Sequence, residues 1–163
     1  MPRKLATIGL FAATLSTAIA PAAHAGAYYL LDVSAEQAVL FDEASIVVTP
    51  QSRVAWIAFV YAKDRYDPAR RPYRIALTQI EFDCVQMRDR PIAMESYDEA
   101  GAQVNQAPVT GDAWSDPAPD TNGDQMLRLA CGLIDPPGPP VQAGVPELRA
   151  KLLGMMQHGD FAP

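Results

Sequence analysis

Between Ala27 and Val109 the chain runs in short apolar stretches of Val, Ile, Leu, Tyr and Phe, interrupted by Pro, Gly, Asp and Ser. Such residues fit a pleated surface, and closely spaced turn residues favour an antiparallel meander over a parallel sheet, which needs helical crossovers. Strands are predicted over 27–33, 37–41, 45–48, 53–63, 72–88, 90–97 and 103–109. The stretch 53–63 is apolar on both parities, with Val54, Trp56, Ala58 and Val60 on one and Ala55, Ile57, Phe59 and Tyr61 on the other. It is therefore expected at the centre of the sheet, covered by a helix on one face and by loops or a partner on the other. In 72–88 the apolar parity changes from Ile75 and Leu77 to Ile80, Phe82 and Cys84, so a β-bulge is predicted near Thr78 and Gln79.

Helical periodicity appears only later. Asp120, Thr121 or Asn122 can cap a helix over 124–131, where Met126, Leu127, Ala130 and Cys131 share one side and Gly132 can end it. A second helix is predicted over 146–158, with Leu148, Leu152, Met155 and Met156 on a stripe. The proline-rich residues 135–140 before it read as an extended linker, which favours loose attachment of that helix. The expected fold is thus α+β, mainly β: about six antiparallel strands with a helix after them.

With 163 residues, 49% apolar and 20% charged, the chain suits one folded domain and neither a disordered polyelectrolyte nor a membrane bundle. Residues 1–25 have the order of a secretory leader: Arg3 and Lys4, an apolar stretch, then Ala23-His24-Ala25 before Gly26. That stretch is broken by Thr7, Thr14, Ser16 and Thr17 and ends at Pro21, short of the ~20 apolar residues of a membrane span. Cleavage between Ala25 and Gly26 is expected, leaving a domain over 26–132 and a tail over 133–163. The membrane is met only transiently, through the leader. The destination is periplasmic or extracellular, and no lipid anchor is expected because the first Cys is Cys84.

Export changes the reading of the two cysteines. Cys84 and Cys131 form an even pair in an oxidising compartment and read as a structural disulfide. The alternative, a reactive thiol, needs a nearby base, and only His158 remains after loss of the leader. If formed, the bridge restrains the unfolded chain by about 4 kcal/mol in the chain-entropy account. Basic residues number 13 against 19 acidic, and loss of Arg3 and Lys4 leaves 11 against 19, a net −8, which disfavours nucleic acid as a partner.

Candidate chemistry is sparse. Asp120-Thr121-Asn122-Gly123-Asp124 opens like a calcium loop, but Gln125 stands at the position of the loop glycine and Cys131 at that of the bidentate Glu, so helix capping explains these residues better. Met155, Met156 and His158 are soft ligands in type but fit a helical stripe. Glu81 with Asp83, and Asp98 with Glu99, lack a partner base for acid–base work. No catalytic residue, metal site or cofactor is assigned. Lys63, Arg65, Arg70, Arg71 and Arg74 surround Asp64 and Asp67 in a predicted connection, and Arg70, Arg71 and Arg74 are the candidate contact for an anionic partner, against the plainer reading of a solvated loop.

Several of these segments together resemble the surface-adhesin protein E family of exported proteobacterial proteins. The likeness runs through Tyr28-Tyr29-Leu30, Val39-Leu40-Phe41-Asp42, Ser45-Ile46, Val54-Ala55-Trp56-Ile57 and Tyr73. It continues through Ile80-Glu81-Phe82-Asp83-Cys84, Ser96-Tyr97-Asp98 with Gly101, Trp114 and the helix ending at Cys131. The resemblance implies an antiparallel sheet tied to a terminal helix by a disulfide, no catalysis, and adhesion to host matrix proteins such as vitronectin and laminin, in some members as homodimers. The sequence departs from the pattern at Ala27, where the first strand often carries Trp, in lacking a lipid-attachment Cys, and in its tail after Gly132. The expected function is an exported, non-catalytic, adhesin-like module with a protein partner. The alternative is an accessory envelope protein with no host ligand, using the tail as its contact element.

Overall fold

The computed structural model describes residues 25–111 and 113–158, so the predicted leader lies outside the described residues. One antiparallel sheet contains β1 (Ala25–Val33), β2 (Gln37–Val48), β3 (Arg53–Tyr66), β4 (Pro72–Asp83), β5 (Arg88–Tyr97), β6 (Gln103–Pro108) and β7 (Val141–Gly144). Their order is β6-β5-β4-β3-β2-β1-β7, a meander whose last strand returns to pair with β1. Helix α1 (Asn122–Ala130) falls between β6 and β7, and α2 (Val145–His158) follows β7.

The apolar parity of β3 is explained by a helix on each face. Ala58 and Val60 join Tyr28, Leu40, Ile75 and Leu77 in a cluster with Leu148, Leu152 and Met156 of α2. The alternate positions Ala55 and Ile57 join Phe41, Ile80 and Phe82 in a second cluster with Met126, Leu127 and Ala130 of α1. The two clusters are displaced along the strands, and β4 gives Ile75 and Leu77 to one and Ile80 and Phe82 to the other.

That displacement corrects the predicted bulge in β4. From Ile75 to Phe82, β4 pairs with β3 without interruption. The irregularity lies on the other neighbour, β5, where Gln79 faces Ala93 and Ile80 faces Pro91, leaving Ile92 as the extra residue. A regular strand that buries opposite faces at its two ends shows the same parity change as a slipped one. The segments predicted separately over 37–41 and 45–48 are likewise one strand, irregular between Asp42 and Val47. There Ser45 mends the ladder: its hydroxyl donates to the Asp42 carbonyl at 2.6 Å and accepts from Trp56 N–H at 2.8 Å.

The tail differs most from expectation. The linker expected to be extended over 135–140 instead bends at 137–139, with Gly138 at φ 68°, and the chain extends only over 141–144, where it pairs with β1. The helix predicted to hang loosely is docked, with Leu148 and Leu152 essentially inaccessible. At its first turn α2 meets the β5–β6 turn: Arg149 Nη1 is 2.7 Å from Glu99 Oε1. Gly101, at φ 79°, sits so close to Pro146 that a Cβ would lie 2.6 Å from its Cγ. These contacts join the β5–β6 turn to α2.

Candidate functional site

The loops at the two ends of the sheet carry the exposed chemistry. At one end the β3–β4 connection is held by Asp67, whose carboxylate accepts from Arg71 N–H at 2.7 Å and from Arg71 Nε at 2.7 Å. That backbone bond is the main reason the Asp67 carboxyl lies below its usual range; burial opposes it, and the Arg71 side chain adds to it. Arg71 also donates to Asn105 of β6 at 3.2 Å. Arg74 pairs with Asp64 and donates to the Ala62 carbonyl. Arg70 occupies the left-handed region at φ 61°, where it shapes the turn, and has no carboxylate in ion-pair range among the described residues.

Of the predicted contact residues, Arg71 and Arg74 are thus fixed by internal carboxylates, and Arg70 projects as an exposed cation beside Tyr66, which is 64% exposed. A cleft of about 590 Å³ lined by Tyr66, Asp67, Pro68 and Arg70 opens at this tip. Arg65 stacks over Tyr61 at 5.0 Å, and Tyr61 meets Tyr73 edge-on at 6.0 Å. Five basic side chains against Asp64 and Asp67 leave the tip positive on an acidic protein.

The opposite end is built around the bond between Cys84, just past β4, and Cys131, the C-cap of α1, whose Cα atoms are 5.6 Å apart. Thr121 is the residue that caps α1, its hydroxyl accepting from Asp124 N–H at 3.3 Å. Asn122 donates to Asp32, and Asp124 faces Arg128 at 3.8 Å. Thr121, Asn122 and Asp124 of the segment that resembled a calcium loop are therefore engaged in capping and pairing. At the helix end Arg53 Nη1 donates to the Ala130 carbonyl at 2.8 Å. Met156 belongs to the core under α2 with Met155 packed beside it, and the side chain of His158 lies outside the described residues.

Sequence reasoning missed a polar lattice at this end. Glu81 pairs with Arg90 at 2.8 Å and accepts from Ser52 at 2.8 Å, while Asp83 pairs with Arg88 at 3.1 Å. Both arginines stack on Trp114, at 4.6 Å for Arg88 and 4.5 Å for Arg90. The Ser115 backbone bridges to Asp89 and fixes the crossing segment over the strand. The signal was present as two complementary alternations, Glu81-x-Asp83 and Arg88-x-Arg90, which a hairpin places opposite one another. Its chemistry is structural, since each charge has a partner. Glu99, the second acid of the other noted pair, holds Arg149, while Asp98 accepts from Ala100 and Ala102 N–H within its own turn.

The family model described as surface-adhesin protein E matches residues 28–132. The chain belongs to the surface-adhesin protein E family. The matched span runs from β1 through α1 and includes both bridged cysteines. Two solved structures of protein E from Haemophilus influenzae are similar. One, from a non-typeable strain, has TM-score 0.50 and 19% identity, covering 85% of this chain and 93% of that one. The other has TM-score 0.49 and 21% identity, covering 72% and 96%. The former shows a shared fold. No curated protein matches the chain. As an adhesin E family member, the protein is adhesin-like and of a surface class that binds protein partners in general. No helix among the described residues is long and apolar enough to cross a membrane.

Proposed function

We propose that this adhesin E family member is an exported, non-catalytic binding module, formed by loss of residues 1–25, that contacts a host matrix protein through the positive β3–β4 tip. The observation that carries the reading is the coincidence of the family match with the disulfide-tied framework, β1 to α1. At the tip, Asp67 and Asp64 pair with Arg71 and Arg74 while Arg70 and Tyr66 face outward. A preordered positive surface binds an acidic partner with little further loss of side-chain freedom. The leader pattern of residues 1–25 supports the export in this reading.

The accessory-envelope reading relies on a free tail. The packing of Leu148, Leu152 and Met156 onto the sheet uses that helix's apolar stripe internally, which favours the first reading. The test is surface binding of the chain from Gly26 to immobilised vitronectin and laminin, beside a pull-down from envelope extract. Saturable matrix binding that weakens with salt, and that falls in an Arg65→Ser, Arg70→Ser double variant, supports the proposal. Absence of matrix binding, with capture of an envelope protein through residues 133–163, contradicts it.

A further inference from the structure

The β3–β4 hairpin closes where Tyr66 faces Pro72, and the connection between them is a tight turn. Arg70 N–H donates to the Asp67 carbonyl at 2.9 Å, and Asp67 N–H donates to the Arg71 carbonyl at 3.1 Å. Arg70 ends that turn at φ 61°, a backbone position usually left to Gly, Asn or Asp. An arginine there carries a backbone cost that glycine avoids. What it adds is a guanidinium lining the cleft of about 590 Å³, beside Tyr66, Asp67 and Pro68. Asp67 gives that cleft no free anion, since its side chain is 1% exposed and both its oxygens accept from Arg71. The cleft thus presents one cationic fork, the ring of an exposed tyrosine and a proline wall.

That combination narrows the ligand. A single guanidinium fork matches one carboxylate in bidentate fashion, whereas a sulfated polymer calls for a row of cations. Lys63 and Arg65 do not extend the row, because they line a separate cleft shared with Glu36 and Asp64. A lone Asp or Glu side chain fills only a small part of 590 Å³, a volume within the range of about 300–1,000 Å³ typical of small-molecule sites. A saccharide ring is large enough, and its C–H face suits the electron-rich face of an aromatic ring. We propose that the Tyr66–Arg70 cleft binds a terminal carboxylate-bearing sugar of a host glycoprotein, a sialic acid in type, with Arg70 on the carboxylate and Tyr66 along the sugar ring. This names the chemistry of the contact proposed above and rests on that reading of the tip. The left-handed arginine and the exposed tyrosine thereby acquire a common reason.

The test titrates the exported protein with sialyllactose, with lactose and with acetylated, amidated glutamate, following the Tyr66 and Arg70 amide signals by NMR. Sialyllactose is expected to saturate both signals and to bind at least about tenfold more tightly than either of the others. Arg70→Gly relaxes the turn, and Arg70→Lys keeps the charge without the fork; each should weaken sialyllactose at least about fivefold. Equal binding of lactose or of the glutamate, or an Arg70→Lys chain that binds as the native one does, overturns the proposal. Sialidase treatment of immobilised vitronectin and laminin separates this inference from the reading beneath it. Loss of saturable binding after treatment supports the sugar. Binding that survives treatment yet disappears in Arg70→Gly overturns the sugar and leaves the tip as the matrix contact. Absence of matrix binding before treatment defeats the matrix reading, while the sialyllactose titration still judges the cleft itself.

Discussion

The end of the sheet under α1 is closed by a covalent bond, capped helix termini and paired charges, whereas the end under α2 is closed by apolar side chains and the Arg149–Glu99 contact. Both helices bury leucines against the same central strand, on opposite faces. The difference lies in what keeps each in place once local packing loosens. Helix α1 stays tethered to β4 through Cys84, while α2 is held by β7, by its own stripe and by an ion pair whose acid is 65% exposed. Two half-cores of similar chemistry therefore differ in how they can fail.

Removing residues 133–163 should have the largest effect, although the family match ends at residue 132. Burial of Val145, Leu148, Leu152 and Met156 contributes about 1.5–3 kcal/mol each. Their sum is comparable to the ~5–15 kcal/mol stability of a domain. Circular dichroism of the shortened chain should show no cooperative melt at 25 °C or above. A melt within a few degrees of the full chain would mean that α2 only covers a core complete without it.

Point changes sharpen the comparison. Leu127→Ala under α1 and Leu152→Ala under α2 each remove a side chain 1% exposed and should cost about 2–5 kcal/mol in denaturant melts. Replacing both cysteines by Ser should cost about 2–4 kcal/mol. It should also deepen the loss from Leu127→Ala more than that from Leu152→Ala.

Titration should separate regions of the sheet with opposite signs. The Tyr28 phenol is pushed up to about 12, and that of Tyr97 is raised by burial, by its bond to Glu95 and by the charge there. Unfolded tyrosine ionises near ~10, so stability from these groups is whole below that pH and is lost as pH rises through their folded values. At the disulfide end, burial alone would raise Glu81, yet bonds from Ser52 and Arg90 hold it below its usual range. Asp83 is lowered mainly by Gln86 N–H, then by Val85 N–H and Arg88 against burial. Their contribution is present above the unfolded carboxylate range near ~4 and is lost as pH falls. Acid should therefore speed amide exchange near the β4–β5 turn and in the Asp67 loop at the other end, whereas base should speed it first near α2; exchange rising first near β4–β5 in base would break the comparison. The smallest effect belongs to Glu99→Gln, at most about 1 kcal/mol because the acid is exposed.

The strands, a helix cap among Asp120, Thr121 and Asn122, and the cysteine pair were legible because each depends on residues close in sequence or on the compartment; the fold selects Thr121. The two-sided covering of β3 was half legible: alternation showed that Ala55 and Ala58 both needed cover, but not that a second helix supplied it. β7 escaped because Val141–Gly144 is too short to announce a strand, and its pairing with β1 joins the two ends of the folded domain. At the basic tip the residue types were readable while their state was not. Only the fold shows that Asp67 is buried and takes Arg71 as its partner, leaving Arg70 outward.

The most direct measurement of the unequal fastening is site-resolved amide exchange on the native protein before and after reduction of the Cys84–Cys131 bond. Reduction is expected to speed exchange across 122–130 at least tenfold while 145–158 keeps its protection. Equal loss in both helices, or no change in α1, would contradict it.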